Sequence, residues 1–174
     1  MSRTTTRLRT TSFAVLLGLG ASSAFSQSPV EFVNDASAKG IADIEISRLA
    51  HQKATSQEIK DYTIQVIDDR TTANQHLVKI ARKLALPVAD REEVASKAKT
   101  LMPDVQDGAA FDAAYAASQV KATEAAIEQL QQQAQTSEVP ELKAFAEETL
   151  SKLENHLEMA KALQSSLQPA RMDG

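Results

Sequence analysis

Residues 141–163, ELKAFAEETLSKLENHLEMAKAL, decide how this chain folds. Leu142, Phe145, Ala146, Thr149, Leu150, Leu153, Leu157, Ala160 and Leu163 recur there at spacings of three and four, the period that gathers side chains on one side of an α-helix. One polar residue falls inside that line. His156 stands three residues after Leu153 and four before Ala160, so its side chain is directed at whatever the helix packs against. A long helix with one apolar face needs partners of the same kind, and the preceding sequence supplies them.

Ser28-Pro29-Val30-Glu31 reads as a capping box with proline at the first helical position, and it starts a first helix through Phe32, Val33, Ala36, Ile41, Ile44 and Leu49 to about Ala54. Gly40 interrupts it at about 1 kcal/mol relative to alanine, which a close helix contact would explain. Glu45 lies four residues from both Ile41 and Leu49, on or beside the stripe. Thr55 with Glu58 offers a second capping box. The second helix then runs through Ile59, Tyr62, Val66, Ala73, Leu77, Ile80, Ala81 and Leu84 until Pro87 stops it. Asp69 and Arg70 stand three and four residues after Val66, so this stripe carries ionisable groups as well.

Asp90 and Glu93 begin a short, weakly amphipathic segment that Met102-Pro103-Asp104 closes. A third long helix follows Asp107-Gly108, with Phe111, Tyr115, Val120, Ile127 and Leu130 on its apolar side and Thr123 between Val120 and Ile127, and it ends near Gln135. Its glutamine-rich close, residues 129–135, keeps the helical period and reads as a solvated helix end. Residues 137–140 form the turn into the last long helix, which extends to about Leu167.

No glycine-rich phosphate loop and no alternating β-branched run appears after the amino-terminal segment, so the expected fold is all-α. Four long helices with one apolar face each make a four-helix bundle. The first and last connections are short, whereas about 20 residues, including the short helix, join the second long helix to the third. A connection of that length lets those two helices run parallel. This is the ferritin-like topology, distinct from simple up-and-down order.

The chain has 174 residues, the length of one domain. Arg3, Arg7 and Arg9 precede the apolar run from Phe13 to Leu19, and small residues Ala21 to Ala24 and Ser26 follow, which is the order of a secretory signal peptide. The run is shorter than the roughly 20 residues that span a bilayer. The expected division is therefore a signal peptide at 1–26, a bundle domain at 27–168 and a carboxy-terminal tail at 169–174. Cleavage near Ser26 would deliver the mature protein to the periplasm or medium.

Without the three arginines of the signal, 16 basic residues face 23 acidic ones, a mature charge of −7. Such a surface repels nucleic acid and anionic bilayers. The absence of cysteine excludes disulfides, thiol catalysis and thiolate metal sites. The mature part carries no apolar run of membrane-spanning length. Association into homo-oligomers, for instance through the end at 129–135, stays open.

Several of these segments resemble one family. Phe32-Val33 followed by Ile44-Glu45-Ile46, then Val66-Ile67-Asp68-Asp69, Phe111-Asp112 with Tyr115, and Leu142-Lys143-Ala144-Phe145-Ala146 with His156-Leu157-Glu158-Met159-Ala160 together resemble the domain-of-unknown-function 4142 family, exported bacterial proteins regarded as ferritin-like. The resemblance covers residues 30–163. It implies a site drawing on all four helices, with histidines after the aspartate pair and midway along the third long helix. Here Arg70 and Thr123 hold those positions, Thr123 just before Glu124, while Glu45 and His156 match.

The spacing of the histidines bears on the same question. A di-iron bundle uses a Glu-x-x-His pair on each of two helices. Three residues before His51, His76 and His156 stand Arg48, Ala73 and Leu153, so that pattern is absent. The candidate inward cluster is Glu45, Asp69, Arg70, Glu124 and His156. It reads as a buried ion-pair and hydrogen-bond network in which Arg70 takes the place of a metal and neutralises Glu45 and Asp69. The alternative is a single divalent metal ion on Glu45, Asp69 and His156. His51 and His76 read as surface or flank residues, and Tyr62 and Tyr115 as aromatics at the core edge. No catalytic residue or cofactor motif is assigned. The expected function is a non-enzymatic exported binding protein associated with the envelope or stress, and the rival is a ferritin-like metal or redox protein.

Overall fold

The computed structural model describes residues 27–98, 100 and 108–167. The expected signal peptide, the tail at 169–174 and the stop at Met102-Pro103-Asp104 lie outside the described residues. The described residues are all-helical and contain no strand: α1 Pro29–Lys53, α2 Gln57–Lys83, α3 Arg91–Ala98, α4 Ala109–Thr136 and α5 Pro140–Leu167. None of these helices is long and apolar enough to cross a membrane.

Side-chain chemistry sets the helix starts. At α1 the Ser28 hydroxyl accepts from the Glu31 N–H, and the Glu31 carboxylate accepts from the Ser28 N–H at 3.1 Å, the capping box expected there. These bonds stabilise the charged form and hold Glu31 below the usual carboxylate range. At α2 the expectation needs correction, because the cap is Ser56 and not Thr55. The Ser56 hydroxyl accepts from the Ile59 N–H at 3.3 Å and donates to Glu58 at 2.6 Å. Thr55 is drawn elsewhere: its hydroxyl donates to the buried carboxylate of Asp112 at 2.6 Å, and its N–H donates there too. The Ser56 N–H donates to the same carboxylate at 2.8 Å.

The end of α2 also differs from the expectation. The helix closes at Lys83, four residues before Pro87, in a Schellman motif: Leu86 N–H reaches Ala81 C=O at 2.8 Å and Ala85 N–H reaches Arg82 C=O at 3.3 Å. Ala85 takes the left-handed conformation this motif requires, with φ 53°. Glycine usually fills that position because a Cβ is disfavoured there. Farther on, the Asp90 carboxylate accepts from the Glu93 N–H at 2.8 Å and starts α3, as its spacing suggested.

Because Asp112 lies in the first turn of α4 and holds the residues that open α2, both helices begin at the same end and run parallel. α1 packs on α2, α4 on α5, and α2 on α5, while α3 lies against α1. Gly40 faces α2, where the Asn74 side chain packs directly against it, so a Cβ at this position would displace that side chain.

All four long helices contribute to two apolar clusters. One holds Phe32, Leu77, Leu130, Leu142, Phe145 and Leu153, with Phe32 and Phe145 edge to face at 6.3 Å. The other holds Ala50, Ile59, Tyr62, Phe111, Tyr115 and Leu163. Along each helix a short stretch separates the residues of the first cluster from those of the second. Asp43, Asp69, Arg70, Thr123 and His156 fall in those stretches, so the two clusters enclose a polar layer halfway along the helices.

Candidate functional site

Helical spacing delivers each member of this layer. Asp43 stands three residues after buried Gly40 and four before buried Ser47, Arg70 four after Val66, Thr123 three after Val120, and His156 three after Leu153. Opposite charges then pair. Arg70 Nη2 lies 2.6 Å from Asp43 Oδ2, with the two side chains 11% and 20% exposed, which places the pair where unpaired charge is strongly disfavoured. His156 Nε2 lies 2.9 Å from Asp69 Oδ2, and Lys152 Nζ approaches the other Asp69 oxygen at 3.4 Å from the outside.

Burial pulls the His156 pKa below the ordinary value of 6.5; Asp69 works against it through the hydrogen bond, and Arg70 adds repulsion. The imidazole is therefore neutral at pH 7. A carboxylate oxygen only accepts, so Nε2 is the nitrogen that carries the proton and donates to Asp69.

Two tyrosines adjoin the layer. Tyr62 stands edge to face with His156 at 6.2 Å and with Tyr115 at 6.3 Å. Tyr115 stacks on Phe111 and shares a hydrogen bond of 3.2 Å with the Ser47 hydroxyl. Burial pushes the Tyr62 phenol up to about 12, with Thr123 drawing it slightly back, and raises Tyr115 further. Among the described residues the Tyr62 hydroxyl nevertheless meets no partner in good hydrogen-bond geometry, and neither does Arg70 Nε. Both tyrosines are core residues, 1% and 0% exposed, and not the core-edge aromatics their sequence positions suggested.

A family model described as "Domain of unknown function (DUF4142)" matches residues 16–163. The chain belongs to this family. No curated protein and no solved structure matches it. The DUF4142 match runs through α1 to α4 and along α5 as far as Leu163, so it includes every helix that builds the polar layer.

In this DUF4142 chain the layer contains only part of the cluster expected from sequence. Asp69, Arg70 and His156 are there. Glu45 faces the other side of α1, paired with Arg48 at 2.7 Å and with Arg91 at 3.9 Å, and Glu124 is exposed beside Lys161 at 2.9 Å. The acid that pairs with Arg70 is Asp43. Glu45 follows it by two residues, about 200° around a helix, so the two cannot share a face. Of the expected line down α1, Phe32, Val33 and Ile44 are buried, whereas Ile41 and Leu49 are only half-buried and the small residues Ser37, Gly40, Ser47 and Ala50 complete the buried line. That small-residue line was the available signal for Asp43.

The remaining histidines take separate places. His51 is half-buried on the flank between α1 and α2, with Nδ1 3.0 Å from the Thr63 hydroxyl. His76 does sit on the flank, 3.2 Å from Glu148 and edge to face with Phe145. Asp112, part of a sequence segment that carried the family resemblance, serves as a tie between helix ends, as its bonds to Thr55 and Ser56 show.

Among the described residues no three histidine, aspartate or glutamate side chains converge as a ligand set. Asp43 is bound to Arg70, and the proton on His156 Nε2 is given to Asp69. A guanidinium in the middle of the donors repels a cation electrostatically and offers no lone pair to it.

Proposed function

We propose that this protein is an exported, non-enzymatic binding protein built as a ferritin-like four-helix bundle, in which the polar layer sets helix register and recognition takes place on the outer surface. The mutual pairing of the interior charges, Asp43 with Arg70 and Asp69 with His156, carries this reading, because each carboxylate of the layer is already engaged by a side chain of the same protein. The parallel start of α2 and α4 and the long segment joining them support the ferritin-like topology. Export rests on Arg3, Arg7, Arg9 and the apolar run that follows. The envelope or stress association rests on that signal and on the family alone. Amino-terminal sequencing of protein from the periplasm should begin at Gln27, or at Phe25 if cleavage follows Ala24. An intact Met1 end in the soluble cytoplasm would overturn the localisation.

The second reading, a ferritin-like metal protein, is favoured by one observation: Asp43, Asp69 and His156 all sit at the middle of the helices, where such bundles place their metals. Elemental analysis of protein from the periplasm separates the two. Stoichiometric iron, manganese or zinc that disappears in His156→Ala would replace the first reading by the second. Association through the glutamine-rich end of α4 is a further reading, although Gln133 is buried and Gln129 is held by Lys39 and Gln27 within the chain. Light scattering over a concentration series tests it, and a strict monomer counts against it.

A further inference from the structure

A cavity of about 500 Å³ lies on the outer side of the α1–α2 pair, against about 60 Å³ for the one beside His156. Its size is that of a small-molecule site. The link between α2 and α3 forms one wall and is tied to α1, where the Ala89 N–H donates to the Ser37 hydroxyl at 2.9 Å. Ile41 and Ile44 from α1, Val78 from α2 and Val88 from the link give the cavity apolar lining, and Val88 is 40% exposed although nothing polar requires it to be.

The charge around this cavity is opposite to that of the chain. The protein carries a net −4, yet Arg48, Lys79, Arg82 and Arg91 line the cavity against one carboxylate, Glu45. Glu45 is occupied by Arg48 and approached by Arg91. Lys79 and Arg82 meet no carboxylate among the described residues. They stand three residues apart on α2, where like charges on one face repel. An anion placed between them removes that repulsion, and apolar surface continues from there along Val78, Ile41 and Ile44.

We infer that this cleft binds a single-chain amphiphilic anion, with its carboxylate between Lys79 and Arg82 and its hydrocarbon chain on Ile41, Ile44, Val78 and Val88. The inference rests on the binding-protein reading and names the ligand class. Titration calorimetry of the purified full chain tests it, using decanoate below its micelle concentration, decyltrimethylammonium and propionate as probes. Decanoate should bind once per chain, weaken as salt is added, and bind at least tenfold more tightly than either other probe. Lys79→Glu with Arg82→Glu should weaken decanoate at least tenfold, and so should Val88→Glu. All three residues are exposed, so the variants should melt like wild type. Equal binding of decyltrimethylammonium, equal binding of propionate, or decanoate affinity indifferent to the charge reversal would each overturn the inference. Those results leave the binding-protein reading standing, whereas a stoichiometric metal ion removes that reading whatever the cleft does.

Discussion

Replacing Arg70 with methionine withdraws the guanidinium from the polar layer and leaves the Asp43 carboxylate without its partner at 2.6 Å. Removing one member of a fully buried pair costs about 3–5 kcal/mol, because the other charge is left stranded. Asp43 retains a fifth of its side-chain surface in contact with water and can partly rehydrate, so the expected loss is about 2–4 kcal/mol. Introducing Asp43→Ala into the Arg70→Met background removes the stranded charge. The double variant should then be more stable than the sum of the single losses predicts, with a coupling of about 1–3 kcal/mol. Urea unfolding near neutral pH measures all four proteins. The chain has no tryptophan, so helix loss by circular dichroism is the signal. A loss below about 0.5 kcal/mol for Arg70→Met, or strictly additive single losses, would refute the pairing.

Asp112→Ala removes the common acceptor of the Thr55 hydroxyl and the Thr55 and Ser56 amides. Hydrogen bonds to a charged group contribute about 1.5–3 kcal/mol each, but water can reach the freed donors, so a total loss of about 2–3 kcal/mol is expected, with faster amide exchange at Ser56; unchanged exchange there contradicts the tie. Ala85→Gly relieves a left-handed alanine and should raise stability by about 0.5–1 kcal/mol in a thermal melt, and a lower midpoint would count against the Schellman geometry. His156 has a folded-state pKa below its unfolded value, so the unfolded chain takes up the proton first. Its contribution is intact above pH 6.5 and is lost as pH falls below 6.5 through the lowered folded value. His156→Gln should lack this component of the pH slope, and parallel slopes for the two proteins below pH 6.5 would disprove it.

Local information reached far in this chain because helices are local objects. Recurrence at three and four residues marked the helices, Ser28 with Glu31 and Asp90 with Glu93 marked two starts, and the stripe of residues 141–163 placed His156 inside before any partner was known. The angular position of a residue around its own helix follows from its number alone. Whether that face is buried does not. α1 shows this clearly: hydrophobicity drew attention to Ile41, which lines the outer cleft, whereas the small residues Ser37, Gly40, Ser47 and Ala50 are buried alongside Phe32, Val33 and Ile44.

What only the tertiary structure decided is which groups meet across helices. Arg70 pairs with Asp43 and not with Glu45, Asp112 holds Thr55 so that the cap passes to Ser56, and Lys79 and Arg82 come to line one cleft with Arg48 and Arg91. These outcomes depend on how far one helix slides and turns against another. That register is set by the fit of many weak contacts, such as Asn74 against Gly40, spread over all four long helices. No short stretch of sequence contains those contacts, so the helices could be read from the chain while the partners of their charges could not.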